Sequence, residues 1–104
     1  MIFNQYTSSR NHVRACNFGN LITTIDNSKN YKTWKATKDC WLIGCCGAST
    51  ANGDARLYIN DTVVVSGADG TANSWGDRSF TIYVHKGTEV KVFGHTYIKV
   101  FGCY

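Results

Sequence analysis

Proline is absent from this chain of 104 residues, and glutamate occurs once, at Glu89. With no proline to fix a turn, glycine, asparagine, aspartate and serine supply the punctuation. No apolar run reaches the roughly 18–20 residues of a membrane-spanning helix, so membrane insertion is not expected. The start, MIFNQYTSSRNHVRACNFGN, lacks a basic segment followed by an apolar one. It is not expected to act as a secretory signal, and synthesis in a cytosol is the expectation. Charged residues are only 17%, a deficit that fits a protein burying part of its surface in an assembly. Sustained helical periodicity is also missing, since no segment keeps an apolar stripe at i, i+3, i+4 and i+7.

What is present reads as sheet. An apolar fraction of 43%, with 13% aromatic, is ample for a packed core, so disorder is excluded. The length fits one domain over residues 1–104. Short β-branched and aromatic runs bounded by turn residues predict nine strands. They cover Asn11–Cys16, Leu21–Ile25, Lys32–Thr37, Cys40–Ala48, Ala55–Ile59, Thr62–Val65, Ser79–His85, Thr88–Phe93 and Thr96–Phe101. Nine short strands without helices imply an all-β antiparallel sandwich or barrel of about 8–10 strands. Asn60-Asp61 and Lys86-Gly87 each lie between two apolar runs and predict tight hairpin turns.

Alternation assigns faces. Phe80, Ile82 and Val84 share a core face, and Thr81, Tyr83 and His85 share the other. In TYIKVFGCY, Tyr97 and Phe101 face one way while Ile98 and Val100 face the other, so that strand needs cover on both sides. A second chain could supply the outer cover.

The run KDCWLIGCCGAST holds three of the five cysteines. Zinc sites use Cys-x2-4-Cys pairs, and redox motifs use Cys-x-x-Cys; Cys40-x4-Cys45-Cys46 fits neither. On an extended strand Cys40, Leu42, Gly44 and Cys46 share one side, with Trp41, Ile43 and Cys45 on the other. Cys45-Cys46 therefore reads as core, with cysteine acting as a small hydrophobe. A disulfide involving Cys103 is the lesser alternative.

Other constellations are weak. Lys29, Lys32, Lys35 and Lys38 recur every three residues around Tyr31 and Trp34. That period alternates faces on a strand, so a solvated or edge-guarding strand is expected rather than a nucleic-acid surface. His12, His85 and His95 show no ligand spacing, so neither metal nor cofactor is expected. The aspartates Asp26, Asp39, Asp54, Asp61, Asp69 and Asp77 are dispersed, mostly at turns, and no catalytic pair stands out. The chain is not expected to be an enzyme. Asn60-Asp61-Thr62 matches a glycosylation pattern and is read as a turn.

The sharper candidate is the predicted long loop from Ser66 to Asp77. Trp75 there, flanked by Asn73, Asp69 and Asp77, offers a flat apolar face with hydrogen-bonding partners. That combination suits a sugar ring. The competing reading folds Trp75 back onto the core or a subunit interface.

The order of YKTWKATKDCWLIGCCGAS, ARLYINDTVVVS, FTIYVHKGTEVKV and YIKVFGCY resembles the C-terminal tips of bacteriophage or prophage tail-fibre proteins. The match covers residues 31–104; residues 1–30 are additional N-terminal strands. Cys40 stands where the pattern has glycine, and Asn60-Asp61 where it has Asn-Gly. The resemblance implies a jelly roll of tumour-necrosis-factor or complement type and a homotrimer recognising a bacterial surface saccharide or receptor. It also implies a place at the virion tail tip. On that reading Tyr83, Phe93, Tyr97 and Phe101, on one sheet, hold the trimer. The alternatives are a monomeric carbohydrate- or small-ligand-binding module, or a purely structural assembly protein.

Overall fold

The computed structural model describes residues 12–47, 53–69 and 78–104. Among the described residues eight strands are formed: β1 (Cys16–Asn27), β2 (Tyr31–Lys35), β3 (Cys40–Cys46), β4 (Gly53–Ile59), β5 (Thr62–Asp69), β6 (Arg78–Val84), β7 (Glu89–Phe93) and β8 (Thr96–Cys103). They make two four-stranded antiparallel sheets, one in the order β1-β8-β3-β6 and the other β2-β7-β4-β5.

That order follows from one turn. Asn60 and Asp61 have φ of 48° and 65°, the left-handed pair that a two-residue hairpin needs. Outward from them Ile59 opposes Thr62, Cys40 opposes Val84, Tyr31 opposes Phe93 and Ile25 opposes Ile98. The pairings β4·β5, β3·β6, β2·β7 and β1·β8 are thus nested around Asn60-Asp61. A long hairpin rolled so that successive strands alternate between two sheets is a jelly roll. The expected all-β jelly-roll sandwich is the fold observed.

Alternation then fills the space between the sheets. Leu42, Leu57, Val90, Val92, Ile98 and Val100 are fully buried there, with Cys40, Cys46, Ile25 and Val84. Burying a leucine or valine side chain stabilises by about 1.5–3 kcal/mol each, so this layer is the main source of cohesion. Phe80 and Ile82 pack against it on the predicted face.

Four expectations need correction. The Asn11–Cys16 strand does not form within its described part; β1 starts at Cys16 and runs through the Asn17–Asn20 stretch expected to break it. That stretch is irregular, with register shifts between Cys16 and Leu21. The Asn17 side chain takes the Gly19 N–H at 3.0 Å and so removes that donor from the ladder. Secondly, Lys86-Gly87 is a turn, with Gly87 at φ 91°, but not a hairpin: β6 and β7 lie in different sheets. The Gly87 N–H goes to the Ala36 carbonyl at 2.8 Å, tying the turn to the β2–β3 connection instead.

Thirdly, the loop predicted to start at Ser66 starts later. Residues Ser66 to Asp69 continue β5, because Gly53 to Arg56 on β4 supply a backbone partner that a polar sequence does not advertise. Fourthly, Cys45 is not core. The two faces of β3 are as expected, but only Cys40 and Cys46 point inward; Cys45 points outward and is half-buried.

Candidate ligand-binding face

The outer face of the β2-β7-β4-β5 sheet carries the densest chemistry. Register places Tyr31, Phe93 and Arg56 in one row across β2, β7 and β4, and Thr33, Lys91 and Tyr58 in the next. Inward neighbours Val90 and Val92 on β7 and Leu57 on β4 are fully buried, and Trp34 on β2 packs against the core, so the outward row is held on rigid backbone.

Three aromatic rings meet there. Tyr31 lies 4.8 Å from Phe93 and 6.1 Å from Tyr58 between ring centroids, tilted by 45° and 54°. Tyr58 points outward yet is buried, because its neighbours cover it. Tyr31 remains 55% exposed and leaves ring surface open to solvent.

Two cations sit on these rings, each held by a carboxylate. The Arg56 guanidinium is 5.2 Å from the Phe93 centroid, with Nε donating to Asp54 Oδ2 at 2.9 Å and Nη2 donating to the same oxygen. Its Nη1 donates to the Tyr58 hydroxyl at 2.9 Å. The Lys91 ammonium lies 4.6 Å from the Tyr58 centroid and 5.4 Å from Tyr31, and pairs with Asp61 Oδ1 at 3.0 Å. The hydrogen bonds from Arg56 hold the Asp54 carboxyl below its ordinary range. The bond to Asp61 raises the Lys91 ammonium. Tyr31 keeps its proton more tightly than usual because of its hydrogen bond with Tyr58. The face therefore presents a flat ring bordered by fixed N–H, carboxylate and phenol groups.

The opposite sheet has a different outer face. Trp41 and Tyr83 meet edge-on at 5.3 Å, as do Phe18 and Phe101. The Trp41 indole N–H donates to the Arg14 carbonyl at 2.8 Å. Phe18 is 68% exposed, Leu21 51% and Tyr97 45%. At its edge Asp39 accepts from the Lys86 N–H at 2.8 Å and the Tyr83 hydroxyl at 3.4 Å, with His85 Nδ1 at 3.6 Å.

Tyr83, Tyr97 and Phe101, expected together at an interface, do share this outer face; Phe93 does not, since β7 places it on the other sheet beside Tyr31. The expected ligand residues Asn73, Trp75 and Asp77 lie outside the described residues, and Asp69 ends β5 opposite Gly53. Among the described residues no three of histidine, cysteine, aspartate and glutamate are placed so that they could hold a metal ion. Sequence reasoning missed Arg56, Tyr58 and Lys91 entirely and read Asp54 and Asp61 as turn residues. The available signal was a basic or aromatic residue at i and i+2 in both Arg56-x-Tyr58 and Lys91-x-Phe93, which becomes a cluster only once register is known.

No family model matches the sequence, and no curated protein matches it. Among solved structures, the chain is similar to the native structure of a family 35 carbohydrate-binding module from Clostridium thermocellum. Identity is 19%, with 80% of this chain and 91% of that chain covered, at a TM-score of 0.43.

Proposed function

We propose that this protein is a non-enzymatic module that binds carbohydrate on the outer face of the β2-β7-β4-β5 sheet. The observation that carries the reading is the half-exposed Tyr31 ring, bordered by the Arg56–Asp54 and Lys91–Asp61 pairs. A sugar ring offers an apolar C–H face to an aromatic ring and peripheral hydroxyls to charged hydrogen-bonding groups. Cations already paired with carboxylates keep both donors and acceptors at fixed positions, so little ordering is left for the ligand to impose. The test is a glycan screen followed by calorimetry with wild type and Tyr31→Ala. Loss of affinity in a variant that stays folded at the assay temperature supports the reading; equal affinity in both sinks it.

A second reading is favoured by the other face. Phe18, Leu21 and Tyr97 leave a large apolar area open on the β1-β8-β3-β6 sheet. Association through Tyr83, Tyr97 and Phe101 would make a homotrimeric head of the tail-fibre kind, located at a virion tail tip. It would present three saccharide-binding faces that gain by avidity. On that reading the segment with Asn73, Trp75 and Asp77, next to Asp69, is an additional ligand contact. Trp75→Ala then weakens glycan binding while keeping the mass. An oligomer that binds no glycan would instead leave a purely structural assembly role.

A further inference from the structure

We propose that Cys16 and Cys103 form a reversible cross-strand disulfide, a thiol-oxidation site that clamps the start of β1 onto the end of β8. Of the five cysteines, these two alone stand directly opposite each other on neighbouring strands. The Tyr104 N–H donates to the Ala15 carbonyl at 3.1 Å, which makes Ala15 and Tyr104 a hydrogen-bonded pair. Pairs alternate along an antiparallel ladder, so Cys16 and Cys103 form the next, non-hydrogen-bonded pair. Such pairs hold their Cα atoms about 4.5 Å apart and their side chains on one face. That separation is inside the roughly 4.4–6.8 Å that a disulfide spans.

The other thiols are placed differently. Cys40 and Cys46 are 0% and 1% exposed, facing the core. Cys45 is half-buried but stands between Tyr97 and Ser79, with no cysteine opposite. Cys16 and Cys103 are both half-buried, which lets a small reagent reach them. Cys16 holds its proton more tightly than an ordinary thiol, first through burial and then because a charge on Cys103 would be close by. The Cys103 thiol lies 3.5 Å from the Asp39 carbonyl, a weak contact that a rotation about Cα–Cβ exchanges for the bridge.

The chemistry needs an oxidant, and a small-molecule disulfide such as oxidised glutathione supplies it. One cysteine thiolate attacks a glutathione sulfur, forming a mixed disulfide and releasing one glutathione thiolate. The second cysteine thiolate then attacks the protein sulfur of that mixed disulfide, forming the Cys16–Cys103 bond and releasing the other glutathione. Two protein thiols are oxidised and one glutathione disulfide is reduced to two thiols. The bridge pins the ladder at the start of the irregular Asn17–Asn20 stretch, two residues from the Arg14 carbonyl that accepts the Trp41 indole N–H. It closes a loop of nearly the whole described chain, which favours the folded state. In a reducing cytosol the pair stays open.

The experiment treats the folded full chain with oxidised glutathione, then counts thiols under denaturing conditions and maps cysteine-containing peptides by mass. The expected result is the loss of two of the five thiols, a mass lower by two hydrogen atoms, and a Cys16–Cys103 cross-linked peptide. The thermal midpoint rises and returns on adding dithiothreitol. Cys16→Ala should carry glutathione on Cys103 and show no such rise, while Cys45→Ser behaves as wild type. Five surviving thiols, stable glutathione adducts in the wild type, or a bridge from Cys103 to Cys40 would each overturn the assignment. If Cys16→Ala fails to fold, the wild-type peptide map still decides.

Discussion

Tyr31 and Phe93 stack across β2 and β7 with ring centroids 4.8 Å apart, and the two are direct register partners. Tyr31 is 55% exposed and its ring meets Phe93, Tyr58 and Lys91 on the outer face, so the ring can be removed without opening a cavity in the core. Tyr31→Ala should cost about 1 kcal/mol of stability or less. It should lower affinity for a bound saccharide by about tenfold or more, since one stacked ring contributes roughly 1.4 kcal/mol. Calorimetry alongside thermal melting separates the two effects.

Gly94 sets where Phe93 ends and β8 begins. Its φ is 73°, and a Cβ there would lie 2.2 Å from the Asp54 carbonyl oxygen. Its N–H also donates to the Lys29 carbonyl at 2.8 Å, so the residue ties the β7–β8 turn to the β1–β2 turn. Gly94→Ala should destabilise by about 1–3 kcal/mol from overpacking against backbone, with about 1 kcal/mol more for the left-handed conformation. Urea unfolding would show this as a lower midpoint, and a variant as stable as wild type would contradict the close approach.

Leu42 lies at the centre of β3, fully buried between the sheets. Leu42→Ala should cost about 2–5 kcal/mol, whereas Thr81→Ala, exposed on neighbouring β6, should change stability by about 0.5 kcal/mol or less. A larger loss at Thr81 than at Leu42 would mean that the inward and outward faces of this sheet are exchanged.

Asp39 gives a pH signature. Its carboxyl is held below the ordinary value, chiefly by the Lys86 N–H, with His85 and Tyr83 adding to the effect against the cost of burial. A folded value below the unfolded one means that the ionised carboxylate favours the fold. The contribution is complete above the unfolded value of about 3.9 and is lost as pH falls through the folded value. Asp39→Asn should therefore melt below wild type at neutral pH, and the gap should close as pH falls below about 4. A gap that widens on acidification would reverse the sign and refute the assignment.

Solution mass tests the second face. With reducing agent present, light scattering coupled to gel filtration should give three chains if Tyr97 and Phe18 are covered in the assembly. Tyr97→Glu should then yield a folded monomer, because an unpaired carboxylate buried in an apolar interface is unfavourable. A wild-type monomer would leave that face open and retain only the saccharide-binding reading.

The alternation of TIYVHK, the two-sided KVF strand and the Asn60-Asp61 turn were legible because each depends on residues within a few positions of one another. Strand faces follow from a period of two, and a hairpin turn follows from residue types that tolerate positive φ. From these alone an all-β antiparallel sandwich or barrel could be read, along with the shared faces of Cys40 with Cys46 and of Ile98 with Val100; the jelly roll itself was implied only by the resemblance.

Sheet membership was another matter. Lys86-Gly87 looks locally like Asn60-Asp61, yet the Asn60-Asp61 turn joins paired strands and the Lys86-Gly87 turn crosses between sheets, because β6 and β7 find their partners far along the chain on β3 and β2. The strand character of Ser66 to Asp69 likewise came from β4 rather than from its own residues. The Tyr31, Phe93, Arg56 and Lys91 face and the Cys16–Cys103 pair share this origin. Their members are separated by most of the chain and meet only through register. The sequence by itself determined which residues could turn inward; only the rolled hairpin decided which outward residues became neighbours.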